Sequence, residues 1–183
     1  MEQRRRGCAR SLEIKHWHTR TRTHGRGLFK RVPGNQHMIV LFILIGSLLL
    51  FRLLGLAGIP LFATRHESTV YALAVLFFFT AVAHFGPMSA EVEKMLPRWV
   101  PKPKTTVFVT GLLEIMGAIG LIIPDTRRLA GICLIVFLVA VFPANVHAAK
   151  TNVKLAGRPV TRLWLRAPMQ LLFIALLVWA IVA

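Results

Sequence analysis

The sequence predicts an all-α integral membrane protein, and three observations lead there. Of the 183 residues 55% are hydrophobic. Five apolar segments follow Met38, each near the roughly 20 residues that cross a bilayer as a helix. The Lys and Arg residues fall on alternate connections, the bias that orients membrane proteins. A formal net charge of +16 conflicts with the hydrophobicity only until it is mapped. Residues 1–37 hold ten of the 23 Lys and Arg and four of the seven His. That basic segment has no zinc-ligand spacing, no recognition helix and little aromatic interleaving, which argues against a nucleic-acid partner and for charge as a topology signal.

The elements follow in order. The tail, residues 1–37, lacks the hydrophobic periodicity that would bury a core and reads as disordered or adsorbed on anionic headgroups. Met38, directly before the first apolar run, is an alternative start of translation. The spans are placed at 38–62, 69–87, 106–124, 128–148 and 168–183. The first contains Arg52, which can snorkel to a headgroup from near one end. Its apolar stretch continues past Arg52 with no A-x-A site, so a retained helix is expected instead of a cleaved signal peptide. The second ends TAVAHFGP, with His84 a turn before Pro87. The fourth ends VFPANVHAA, where Pro143 removes a backbone donor and favours a kink beside Asn145, with His147 following. The fifth enters through LRAPMQ, carrying Arg166 and Gln170, and Pro168 suits a first-turn position.

With a cytoplasmic N-terminus, the tail, the 88–105 loop and the 149–167 segment lie inside and carry 10, 4 and 5 Lys or Arg. The opposite side keeps only Arg52, Arg65, Arg127 and Arg128. Trp99 and Trp164 inside, and Tyr71 and Trp179 outside, then stand where interfacial aromatics belong. Cys8 and Cys133 form no C-x-x-C motif, which argues against a disulfide or a dithiol centre.

Glu114 is the most informative residue. It sits near the middle of TVFVTGLLEIMGAIGLIIP (106–124), where an acid costs roughly 2.5–3.5 kcal/mol on insertion scales and therefore faces a bundle interior, a polar partner or a reaction. Gly117 and Leu121 share its face at i+3 and i+7, with Gly111 and Gly120 nearby, and small residues let helix backbones approach closely. The face is expected to point inward. His84, Asn145, His147, Arg166 and Gln170 lie in the inner third of the membrane and Glu114 about 10 Å below the surface at the helical rise, so polar groups from four helices are expected to converge. For each a plain structural role stands beside the functional one. Imidazoles near helix ends bond interfacial water, Arg166 anchors among phosphates or neutralises Glu114, and Asn145 joins helices or meets a ligand. Two His and one carboxylate have the composition of a non-haem iron site, but no pair shares a helix at ligand spacing, so no metal is assigned.

From FTAVAHFGP, through MLPRWVPKPKTTVFVTGLLEIMGAIGLIIPDTRRLAG, to VFPANVHAAK and LWLRAPMQLLFIALLVW, the chain resembles the DoxX-like family of small bacterial membrane proteins. The resemblance spans residues 70 to 180. Its most specific parts are His84–Phe85, the Glu114 helix, PANVHAA and the R-x-P-x-Q entry at Arg166, Pro168 and Gln170. It implies a four-helix transmembrane bundle preceded by an additional N-terminal transmembrane helix, in the bacterial cytoplasmic (inner) membrane. It also implies an association with quinone-linked oxidoreductase assemblies, although most members have no established reaction and architecture does not fix chemistry.

Three functions fit these readings. In the first, the chain is a subunit of a redox or quinone-linked complex, with Glu114 and His84 as catalytic candidates and Asn145, His147, Arg166 and Gln170 as ligand-binding candidates. In the second it is a non-catalytic assembly factor or scaffold that meets other membrane proteins, which the lack of a flavin, nucleotide or covalent haem motif favours. The third, a small transporter, ranks last because the spans show no inverted repeat.

Overall fold

A computed structural model describes residues 36–182 except 87, 152–153, 156–157 and 160–162. Residues 1–35 of the predicted tail lie outside the described residues. The described chain is helical: α1 (Gln36–Leu56), a 3-10 turn (Pro60–Phe62), α2 (Arg65–Phe85), the short α3 (Ser89–Glu93), α4 (Pro103–Ile122), α5 (Pro124–Lys150) and α6 (Leu163–Val182). A two-residue antiparallel ladder, Lys154–Leu155 with Arg158–Pro159, closes the α5–α6 connection. Five of the helices, all but α3, are long and apolar enough to cross a membrane.

Local chemistry moves several boundaries from their expected places. The first helix stops at Leu56 and not at residue 62 because Gly58 adopts φ +93, a left-handed conformation that favours glycine. The chain then folds back so tightly that a Cβ on Gly55 would lie 1.9 Å from the Phe62 carbonyl oxygen. Arg52 closes this corner by donating to the Ala63 carbonyl at 3.0 Å, and Phe51, Phe62 and Tyr71 pack their rings around it. Helix α2 starts on a side-chain cap, the Thr64 hydroxyl accepting from the Glu67 amide at 3.1 Å. Helix α6 begins at Leu163, which puts Pro168 inside the helix and not in its first turn. Helix α5 likewise runs unbroken through Pro143.

Long-range bonds set the helix directions. His84, near the end of α2, bonds to Val107, near the start of α4. Arg127, at the start of α5, bonds to Leu121, near the end of α4. His66, at the start of α2, bonds to Ala180, near the end of α6. Neighbouring helices are therefore antiparallel. Helices α2, α4, α5 and α6 form a ring in which each packs on two others of the four, while α1 packs on α2 and the 3-10 turn from outside. The core between them is built from Leu73, Leu76, Phe77, Leu121, Leu134 and Leu177, all essentially without exposure.

Among the described residues, eight of the 18 buried apolar ones are alanine, which matters because helices in lipid gain little from hydrophobic burial and associate through close backbone packing. The glycine face of α4 follows the same logic. A Cβ on Gly117 would come within 2.5 Å of the Leu134 side chain, and one on Gly111 within 2.5 Å of the His84 Cβ. Gly111, Glu114, Gly117 and Leu121 are all buried, so the face expected to point inward does so. Large apolar side chains such as Phe42, Phe78, Met116 and Val136 are left on the outside.

The end of the bundle away from His84 is fastened by an ion pair. Arg127 grips Glu67 through two bonds of 2.9 and 3.2 Å and donates from Nε to the Leu121 carbonyl at 3.0 Å. One side chain thus ties the starts of α2 and α5 to the end of α4. His66 extends the fastening, with Nδ1 3.6 Å from Glu67 and its ring edge-on to Trp179. Replacing Arg127 by alanine is expected to destabilise the fold by about 1.5–3 kcal/mol, the range for hydrogen bonds to a charged group. Lysine should restore only part of this, because it lacks the planar fork. Unfolding of detergent-solubilised protein in a rising SDS fraction would measure both variants.

Candidate functional site

The site forms because α2 ends early. It stops at Phe85, with Gly86 as its C-cap, level with residues 107–111 of α4, so the first four residues of α4 extend past it by about 6 Å. The connection through α3 fills that step, burying Met95 and placing Val92, Leu96 and Pro97 over the space. His84 is thereby held inside the bundle instead of at a water interface.

Its ring is oriented from one side. Thr110 Oγ1 donates to the Val107 carbonyl at 2.9 Å and so turns a lone pair toward His84 Nδ1, 3.0 Å away. The Val107 carbonyl, an acceptor only, stands 3.0 Å from the same nitrogen. With two acceptors facing it, Nδ1 carries the hydrogen, and the neutral ring presents its Nε2 lone pair on the other side. There Glu114 Oε2 lies 3.7 Å away. That separation exceeds a direct hydrogen bond, and Oε2 has no hydrogen-bond partner although Glu114 is only 6% exposed. A carboxyl oxygen and an imidazole nitrogen thus face each other across a gap, two proton acceptors side by side. The Thr80 hydroxyl approaches the Glu114 carboxyl from α2.

These groups line a cavity of about 1200 Å³ that reaches all six helices. Besides Thr80, His84, Thr110 and Glu114, its polar lining comprises Asn145, Arg166 and Gln170 together with Thr106 and Thr126. The rest is apolar and includes Leu113 and Met116 of α4 and Ile132 and Val136 of α5, all exposed on the helix faces. The cavity is therefore a cleft open sideways between α4 and α5, not a sealed void.

Of the six residues singled out in the sequence, five line this cleft. His147 does not; it sits in the last turn of α5, where its carbonyl accepts from the Thr151 amide and hydroxyl. Asn145 donates to Gln170 Oε1 at 3.2 Å, and the Gln170 amide donates onward to the Leu138 carbonyl. That carbonyl neighbours the one on Val139, which Pro143, having no N–H, leaves without its helical donor. The two amides join α5 to α6 across the kink-prone turn. Changing Gln170 to leucine is expected to orphan both partners and destabilise the bundle by about 1–3 kcal/mol, more than Asn145→Leu, as thermal midpoints of the two variants would show.

Arg166 does not neutralise Glu114: among the described residues the titratable side chain that faces Glu114 is His84, 3.7 Å away, and Arg166 Nη1 is buried without a partner. The sequence reading missed Thr110 and Thr80. Both were signalled by spacing, since each stands four residues before a singled-out residue, Thr110 before Glu114 and Thr80 before His84, on the same helix face. No cluster of three or more metal-ligating side chains occurs among the described residues.

A ring of four antiparallel helices, an outer fifth and a buried acid–imidazole pair in a sideways cleft define a small helical bundle of membrane-spanning dimensions with an internal polar site. Over residues 73–182 the chain matches the family described as a domain of unknown function (DUF8561), and it belongs to that family. The matched stretch starts inside α2, takes in every polar residue of the cleft and leaves α1 outside. No curated protein and no solved structure matches the chain.

Proposed function

We propose that this is a DoxX-like multi-pass protein of the bacterial cytoplasmic membrane, with its N-terminus in the cytoplasm, that serves a quinone-linked redox complex. One observation carries the reading. The Glu114 carboxyl faces His84 Nε2 across a gap, with Oε2 unpartnered, inside a cleft that opens sideways toward the place of lipid. A quinol enters such a cleft from the bilayer with its apolar tail trailing, and its hydroxyl can donate to the free carboxylate oxygen. On oxidation to the quinone one hydroxyl proton passes to the Glu114 carboxylate and the other to His84 Nε2, and the two electrons pass to a redox partner in the membrane. Thr110 and Val107 keep the ring in the tautomer that can accept. The basic connections at the His84 end of the bundle support the stated orientation.

The experiment is a reduced-minus-oxidised optical spectrum, with added quinol, of the protein held with its native membrane partners, for the wild type and Glu114→Gln. A quinol-dependent signal lost in the variant is the expected result. An unchanged signal in a variant that still inserts would overturn the reading.

A second reading, a non-catalytic membrane assembly factor, draws on a separate observation. Asn145 and Gln170 bond to each other and to the Leu138 carbonyl, so their polar groups hold helices together. On that reading the exposed α4–α5 faces receive a client helix, and crosslinking in native membranes would capture that client.

A further inference from the structure

Arg166 takes no part in the proton transfer proposed at Glu114 and His84, yet among the described residues it is the one permanent cation lining the cleft. Its Nη1 is buried without a partner, and the other titratable groups lining the cleft are His84, Glu114 and Cys133. Of these the one acid, Glu114, faces His84 at 3.7 Å and not Arg166. One arm of the guanidinium, Nη1, is withdrawn from water without an acceptor, which is costly, and an oxyanion at that arm relieves the cost.

Position narrows the source of that anion. Arg166 is the fourth residue of α6, at the end of the bundle where Trp99 and Trp164 stand 74% and 70% exposed, as aromatics do at headgroup level. From there the cleft is lined along α5 from Asn145 back to Thr126, a length of about 28 Å at the helical rise. That is close to the roughly 30 Å of a bilayer's hydrocarbon core, and more than one leaflet. Its volume, about 1200 Å³, also exceeds the about 300–1,000 Å³ usual for compact ligands. A long apolar groove with a partly buried cation at the headgroup end, one of its nitrogens unsatisfied, has the shape and charge of a lipid site.

We propose that the cleft binds an anionic phospholipid from the surrounding leaflet, its phosphate paired with Arg166 and an acyl chain lying between α4 and α5 against Met116, Ile132 and Val136. The site does not depend on redox chemistry, and the test needs neither quinone nor partner. Failure here would leave the quinone reading standing, and the reverse holds too.

The test uses the full chain in nanodiscs of phosphatidylcholine with a minor fraction of phosphatidylglycerol, followed by transfer to detergent and native mass spectrometry. The wild type is expected to retain phosphatidylglycerol at about tenfold its bulk proportion, the weight of one charge-assisted contact. Arg166→Lys should keep most of the enrichment and Arg166→Gln should lose it. Val136→Trp, which fills the groove without touching the cation, should lose it as well, so the proposal stays falsifiable if the Arg166 variants do not fold. A phosphatidylglycerol carrying a photoreactive acyl chain should label α4 and α5. Wild-type protein without enrichment, equal retention in Arg166→Gln, retention of a free fatty acid in place of the phospholipid, or labelling confined to α1 would each overturn the proposal.

Discussion

Glu114→Gln is expected to lower quinol-dependent turnover by about 10²- to 10⁴-fold, the usual contribution of a positioned acid–base group, while leaving the protein inserted and folded. Glutamine matches glutamate in shape, so the packing of α4 on α2 survives, and its amide can still bond to Thr80. What it cannot do is take up or release a proton. His84→Gln should fall in the same range, because among the described residues Nε2 is the one basic nitrogen within 4 Å of that carboxyl. Thr110→Val is the informative companion. It leaves both members of the pair in place but removes one of the two acceptors that hold the proton on Nδ1, so it should slow turnover by a smaller factor and shift its pH profile. Full activity in Glu114→Gln would sink the proton-transfer role outright, and full activity in Thr110→Val would sink the argument from the tautomer.

Gly111→Val is expected to destabilise the bundle by about 3 kcal/mol, the upper end of overpacking costs. The new Cβ would lie 2.5 Å from the His84 Cβ and 2.9 Å from the Phe85 ring, and neither neighbour is the loose end of a flexible chain. Only separation of α2 from α4 relieves such contacts, and separation pulls His84 away from Glu114. Gly46→Val is the control. Gly46 also lies inside a helix, α1, but nothing stands within 4 Å of its would-be Cβ. Valine is a slightly better helix former than glycine, so the control should be neutral or mildly stabilising. SDS unfolding midpoints of the two variants should move in opposite directions or differ widely; equal shifts would mean that α2 and α4 are not packed as described.

The sequence determined the five apolar helices and the inward face of α4, because both are local properties. Helix existence follows from a run of apolar residues, and the buried face follows from glycines and an acid recurring at helical spacing. Five of the six singled-out polar residues line the cleft for the same reason: polar groups within an apolar helix must find an interior. Only the tertiary structure decided who pairs with whom. Glu114 meets His84 and not Arg166 because α2 ends short and α4 overshoots it, a relation that depends on the α3 connection between them. Glu67 and Arg127 meet across 60 residues, and nothing in either segment alone announces it. Helix ends also shifted where one glycine conformation, at Gly58, or a continuing helix, at Pro168, outweighed the local proline rule. Hydropathy and periodicity are written along the chain, whereas a hydrogen bond between helices depends on their relative depth and rotation, and those are settled only when all the helices pack together.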